Sequence, residues 1–204
     1  MEHTLFSPAE MAAMDHTGLP ADHPFTPFIQ HHGVVLAYQE ADELFSTMLH
    51  GTPWARRRLL LHGKLVEMPR DMAWYGATKD QGVYAAEARE WPAHLLRTKA
   101  LVEELTGFVY NGCLCNLYRD GSNSVAWHSD REAFGGAVAS LSLGATRSFR
   151  VRDKQDHAIT FDFPLPSGSL LLMKPGCQET TEHCVPKTKR AVAPRINLTF
   201  RQVQ

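Results

Sequence analysis

The sequence carries no charge excess of either sign: 21 lysine and arginine residues stand against 22 aspartates and glutamates, a formal net charge of -1 over 204 residues. That balance excludes a protein that holds nucleic acid by bulk electrostatics, so any such contact must rest on a local patch. Long apolar runs are missing too, and none reaches the roughly 18 residues a membrane-spanning helix needs. The opening MEHTLFSPAEMAAMDHTG has neither the basic start nor the apolar stretch of a secretory leader. A cytoplasmic protein with no membrane partner is therefore expected. Cysteine is scarce, and Cys113, Cys115, Cys177 and Cys184 show no structural-zinc spacing, so they read as thiols in a reducing compartment. Cys113-x-Cys115 reads as small residues on a strand rather than half a metal site. Internal repeats and low-complexity tracts are absent, and the length suits one domain acting as a monomer.

What is present falls into two textures. Residues 1–30 mix proline, histidine and small polar residues without a period, and read as an arm or loop preceding a single domain over 31–204. Ala41, Leu44, Phe45, Met48 and Leu49 recur at helical spacing until Gly51, and a second helix is predicted from Pro92 to near Gly107 with Leu95, Leu96, Val102 and Leu105 as its buried stripe. From about residue 108 short β-favouring runs take over: FVYNGCLCNLY, SVAWH, AVASLSL, SFRVR, AITFDF, SLLLM and RINLTF. The fold class is α+β, mainly β: a sandwich or barrel faced by two helices.

One candidate site stands out. His128 and Asp130 are two apart just after a predicted strand, so an extended backbone points both side chains the same way. His183, beyond SLLLM, can return to them. Two imidazoles and a carboxylate form the facial triad of non-haem iron(II) oxygenases, although the same donors also hold catalytic zinc, and His-x-Asp alone arises readily among 11 histidines. The last run supplies corroboration. Arg195, Asn197, Thr199 and Arg201 alternate with Ile196, Leu198 and Phe200. An edge strand with solvated arginines is the plain reading; a polar row turned into a pocket is the other. The two arginine Cα atoms would lie about 20 Å apart at ~3.3 Å per residue, so their side chains would have to converge. Guanidinium forks suit carboxylates, and 2-oxoglutarate has one at each end, with Asn116 and Tyr118 available as further hydrogen-bonding groups.

Together, Asn116-Leu-Tyr118-Arg-Asp-Gly, Trp127-His128-Ser-Asp130, Ser140-Leu-Ser-Leu-Gly144-Ala-Thr-Arg147-Ser-Phe149, His183 and Arg195-Ile-Asn197-Leu-Thr-Phe-Arg201 resemble the AlkB family of nucleic-acid demethylases, over roughly residues 66–203. The resemblance implies a double-stranded β-helix (jelly-roll) core with flanking N-terminal helices. It implies iron(II) held by His128, Asp130 and His183, with 2-oxoglutarate and dioxygen as cosubstrates. Arg201 would take the C1 carboxylate, Arg195 the C5 carboxylate, and Asn116, Tyr118 and Asn197 would complete that site. The implied reaction is DNA repair: oxidation of N-methyl groups on 1-methyladenine and 3-methylcytosine in DNA, and also in RNA, with release of formaldehyde, succinate and carbon dioxide. RNA demethylation or protein hydroxylation are the alternatives; a non-catalytic binding module fits poorly with a complete ligand set. Trp74, Tyr75 and Tyr84, in a segment resembling the family's lid, are candidates to line the base pocket, or else simply to pack. Glu132 matches a position that meets the base edge. Arg131 departs from the aspartate of several relatives, and a cation there suits a phosphate better than a methylated, positively charged base. Arg147 reads as structural. Arg56, Arg57, Arg58, Lys64 and Arg70 form a basic stretch that is either a phosphate contact or a solvated face.

Overall fold

A computed structural model describes residues 18–61, 64–77, 89–130, 133 and 135–203. Its strands are β1 (Ile29–Val34), β2 (Ala55–Leu61), β3 (Lys64–Gly76), β4 (Gly112–Tyr118), β5 (Val125–His128), β6 (Val138–Gly144), β7 (Arg147–Asp153), β8 (Thr160–Leu165), β9 (Ser169–Met173), β10 (Thr181–Val185) and β11 (Arg195–Arg201). The helices are α1 (Tyr38–Gly51), α2 (Ala93–Thr106) and the single turn α3 (Cys177–Thr180). A seven-stranded sheet runs β1-β9-β6-β11-β4-β3-β2 and a four-stranded sheet runs β5-β10-β7-β8. The strands pair antiparallel throughout the ladders. The core is the double-stranded β-helix the resemblance implies, with α1 and α2 against one face of the larger sheet. Among the described residues, no helix is long and apolar enough to cross a membrane.

The position of β11 explains its alternation. It lies between β6 and β4, paired with both along its whole length, and every one of its residues is buried. Ile196, Leu198 and Phe200 join the apolar cluster under the helices, with Met48, Leu95 and Val102. The polar residues face the space between the sheets. The edge-strand reading is thus corrected: β11 is central, and because a central antiparallel strand can still turn one face to water, it is the burial of Arg195, Asn197, Thr199 and Arg201 that puts the polar row on an interior space.

Helix α1 buries Ala41 and Met48 and packs Leu44, Phe45 and Leu49 more loosely on the same cluster, as the spacing predicts. Its first turn is closed by the Ala37 N–H donating to the Glu40 carboxylate at 3.1 Å. Helix α2 follows Pro92 and stops at Gly107, whose φ of 74° is the left-handed turn glycine permits. Its buried stripe is Leu95, Thr98 and Val102, whereas Leu96 and Leu105 are 49% and 38% exposed. At about 100° per residue Leu96 lies roughly a third of a turn from the middle of the stripe and Leu105 at its border in the last turn, and Thr98 fills the position that apolar spacing had skipped.

Two other expectations change. Residues 18–28 run through turns, a loop as read, but a packed one: Leu19, Phe25 and the following Ile29 are buried in the cluster between the sheets, with Phe163, Leu171 and Met173. Isolated apolar residues separated by proline and histidine show no period, yet pack as firmly as periodic ones. The hairpin of β2 and β3 was also unforeseen, because its alternation is interrupted. Arg58 pairs with Glu67 but Arg56 with Asp71, so β3 carries two extra residues around Pro69, which can donate no ladder hydrogen bond.

Candidate active site

The triad is assembled by strand register. In the pairing of β5 with β10, His183 lies directly opposite His128, their rings 4.3 Å apart between centroids. Asp130 follows two residues after His128, and its N–H donates to Gln178 Oε1 at 2.9 Å, tying the turn to α3. Its carboxylate lies 3.6 Å from His128 Nε2 and 3.9 Å from His183 Nε2. One donor atom from each residue falls within 4.8 Å of the other two. His128 Nδ1 is 2.9 Å from the Ala126 carbonyl and 3.1 Å from that of His183, so Nδ1 is the donor to these carbonyls and Nε2 is the nitrogen turned toward Asp130.

Electrostatics sets the two buried members in ligating form. Burial, reinforced by neighbouring His128, drives the His183 imidazolium down to about 3 against the opposing pull of Asp130. For Asp130 burial pushes upward, but Arg201, His183, His128 and Arg70 outweigh it and hold the carboxyl at about 2. At neutral pH His183 is thus neutral and Asp130 ionised, the state a metal takes up without displacing a proton. Phe149 stacks on His183 at 5.1 Å and fixes its ring.

Beside the triad, the polar face of β11 forms the wall of a cavity of about 830 Å³, lined also by Arg70, Leu114, Asn116, Tyr118, Phe149 and Met173. Arg201 lies at its floor, Nη2 at 3.4 Å from the Asp130 carboxylate and donating at 2.9 Å to Thr199 Oγ1. Asn197 donates to Ser140 Oγ and the Leu141 carbonyl. Arg195 is set further back, its guanidinium carbon 5.3 Å from the Tyr118 ring centroid and its Nη2 on Ser142 Oγ. Its Nε and Nη1 reach no acceptor, and burial lowers its pKa to about 10. A fully buried guanidinium with open donors is a costly arrangement that an anion relieves.

The iron(II) donor set and the wall of buried arginines fit one kind of protein. The model of the 2OG-Fe(II) oxygenase superfamily matches residues 29–201. The bovine alpha-ketoglutarate-dependent dioxygenase alkB homolog 3 is 39% identical over 180 residues, 81% of this chain and 62% of that protein. The human DNA oxidative demethylase ALKBH2 is 32% identical over 189 residues, 83% of this chain and 71% of its own length. This chain belongs to the AlkB family of that superfamily. It spans about three-fifths of the alkB homolog 3 proteins it matches, 62% in the bovine and human cases. A solved structure, that of OsALKBH1, superposes with a TM-score of 0.61 at 18% identity over 83% of this chain and 93% of that one, a likeness of fold. The superfamily's cofactor is Fe(II), with 2-oxoglutarate and dioxygen as cosubstrates.

Several residues named from the sequence lie elsewhere than expected. Trp74 and Tyr75 are buried in β3 and line no part of the cavity. Trp74 packs with Met72, Leu114 and Val203 and donates its indole N–H to the Ala77 carbonyl at 2.8 Å, while Tyr75 points to the helix side. Their β pairing with β4 makes them core rather than lid. Tyr84, Arg131 and Glu132 lie outside the described residues. Arg147 is structural: its Nη groups donate to the carbonyls of Asp120, Asn123 and Pro186. In the basic stretch Arg56 pairs with Asp71 and Arg58 with Glu67. Arg70 is no surface residue but 7% exposed, with its Nε 2.7 Å from Asn116 Oδ1. The alternation Arg70, Met72, Trp74 was the sign of it, since Met72 and Trp74 share that inward face. Gln178 and Phe149 carried no sign, because their roles come from the register of β10 and the turn before it.

Proposed function

We propose that the protein oxidatively demethylates N-alkylated bases in DNA, 1-methyladenine and 3-methylcytosine foremost and RNA as well, as part of alkylation repair, releasing formaldehyde, succinate and carbon dioxide. The observation that carries this reading is the cavity: it runs from a rim at Val66, Met68 and Lys187 to a floor at His128, Asp130, His183 and Arg201. Its volume accommodates a single base turned out of its stack together with a small dicarboxylate. The name of the human relative, a DNA oxidative demethylase, supports the same substrate class.

Bound iron(II), 2-oxoglutarate and dioxygen supply the oxidising power for a methyl C–H. The protein's own groups do the rest. His128, Asp130 and His183 would hold the metal on one side only, leaving the cavity side open. Arg201, beside Asp130, would orient the carboxylate nearest the metal, and Arg195 with Tyr118 the distant one. Leu114, Phe149 and Met173 keep the floor apolar around these polar groups. We expect a cytoplasmic monomer.

Incubation with Fe(II), ascorbate, 2-oxoglutarate and a panel of methylated oligonucleotides, read by mass spectrometry, tests the proposal. Loss of a methyl mass with matching formaldehyde is expected. Succinate production with no demethylation of any oligonucleotide would overturn the substrate and point to a protein target.

A further inference from the structure

Arg70 is assigned no role by the family resemblance, yet it is a buried cation on the cavity wall. It sits in β3 immediately after Pro69, where the bulge against β2 rotates the strand, and it lines the cavity although only 7% exposed. A guanidinium nitrogen can only donate, so the 2.7 Å contact from Nε must end on the oxygen of Asn116. That contact settles the orientation of the Asn116 amide. With Oδ1 consumed by Arg70, Nδ2 is turned the other way, and Asn116 is itself a cavity-lining residue, paired across the ladder with Asn197.

We propose that Arg70 is a positioning residue of the cosubstrate site: it locks the Asn116 amide with its N–H groups toward the cavity, so that Nδ2 donates to an oxygen of the bound dicarboxylate. The role rests on the reading that the cavity takes 2-oxoglutarate, but not on which macromolecule is oxidised. Without Arg70 the amide is free to flip and present its oxygen, which would repel a carboxylate. Loss of the guanidinium also removes positive potential from a site that must accept a dianion.

The test uses the full chain loaded with redox-inert Mn(II), in which 2-oxoglutarate binding is measured by calorimetry without turnover. Arg70→Met is expected to weaken 2-oxoglutarate about tenfold while leaving Mn(II) affinity unchanged, and Arg70→Lys, which can still donate to Asn116, to recover most of that loss. Asn116→Ala should weaken binding comparably, and the Arg70→Met, Asn116→Ala double variant should be no worse than the weaker single one, because one interaction has been removed twice. Unchanged 2-oxoglutarate affinity in Arg70→Met, or strictly additive losses in the double variant, would overturn the proposal. So would intact 2-oxoglutarate binding with weakened binding of methylated oligonucleotide, since Arg70 would then be a substrate contact. A failure of DNA demethylation with the cosubstrate cycle intact would strike the proposed function alone.

Discussion

At the scale of single residues, the site depends on a few buried groups whose charge states are mutually set. Replacing His128 by alanine removes one of three donors and leaves the strand pairing in place, since the residue is at the end of β5. We predict loss of iron-dependent succinate formation with an unchanged circular dichroism spectrum. Arg201→Lys keeps a charge but loses the planar fork, so the 2-oxoglutarate KM should rise at least tenfold with a smaller change in kcat. The metal-free protein should also be acid-sensitive in a defined sense. His183 is held down to about 3 against its ordinary 6.5, so between those values the unfolded chain binds the proton that the folded one refuses. Stability therefore falls as pH drops through that window. Asp130, held down at about 2, adds stability above the usual carboxylate range that is lost as pH falls toward 2. Melting temperatures measured from pH 7 to 4 should decline steeply without metal and less with Mn(II), because binding to the folded state adds its own free energy. A flat profile in the metal-free protein would show that His183 does not resist protonation. These residues were legible because His128 and Asp130, like the members of the arginine row, are spaced by two, and a period of two survives in any extended strand.

At the scale of elements, the same period fails to say which face is inward. The row Arg195, Asn197, Thr199 and Arg201 read equally as solvated edge or lined interior, and what decides it is the burial of all four on a strand held between β4 and β6. Strand β3 shows the same ambiguity. Aromatics beside glycine and charged residues read either as a loop over the substrate or as packing, and Trp74 and Tyr75 sit in a ladder with Leu114 and Cys113. Gly112 confirms how closely that ladder packs, for a Cβ there would come within 2.5 Å of the Trp74 ring. Trp74→Ala should accordingly cost about 3–5 kcal/mol of stability, as buried aromatics do. A matching fall in melting temperature is expected, with oligonucleotide affinity unchanged in the fraction that remains folded. Weakened oligonucleotide binding at full stability would restore Trp74 to the substrate pocket.

At the scale of the whole molecule, what no local pattern could announce is how the N-terminal segment reaches the metal site. Ile29 of β1 pairs with Met173 of β9, and the Lys174 N–H donates to the Phe28 carbonyl at 2.7 Å. Met173 lines the cavity, its sulfur accepts from Gln178 Nε2, and Gln178 in turn receives the Asp130 N–H. A continuous chain of contacts thus runs from Phe25 and Ile29, through β9 and α3, to a metal ligand more than 100 residues away in the sequence. A periodic pattern cannot reveal it because each link is a single residue with its own geometry. Deleting residues 1–28 tests whether the segment is packed structure or a dispensable arm. Loss of buried Leu19 and Phe25, at about 1.5–3 kcal/mol each, should lower the melting temperature by roughly 10 °C in a chain of this size. Because Lys174, next to Met173, would lose the Phe28 carbonyl that anchors it, Mn(II) affinity should also fall several-fold, even at temperatures where the truncated protein is folded. If both quantities are unchanged, the segment bears no load, and Asp130 is positioned by Gln178 and the β5–β10 pairing alone.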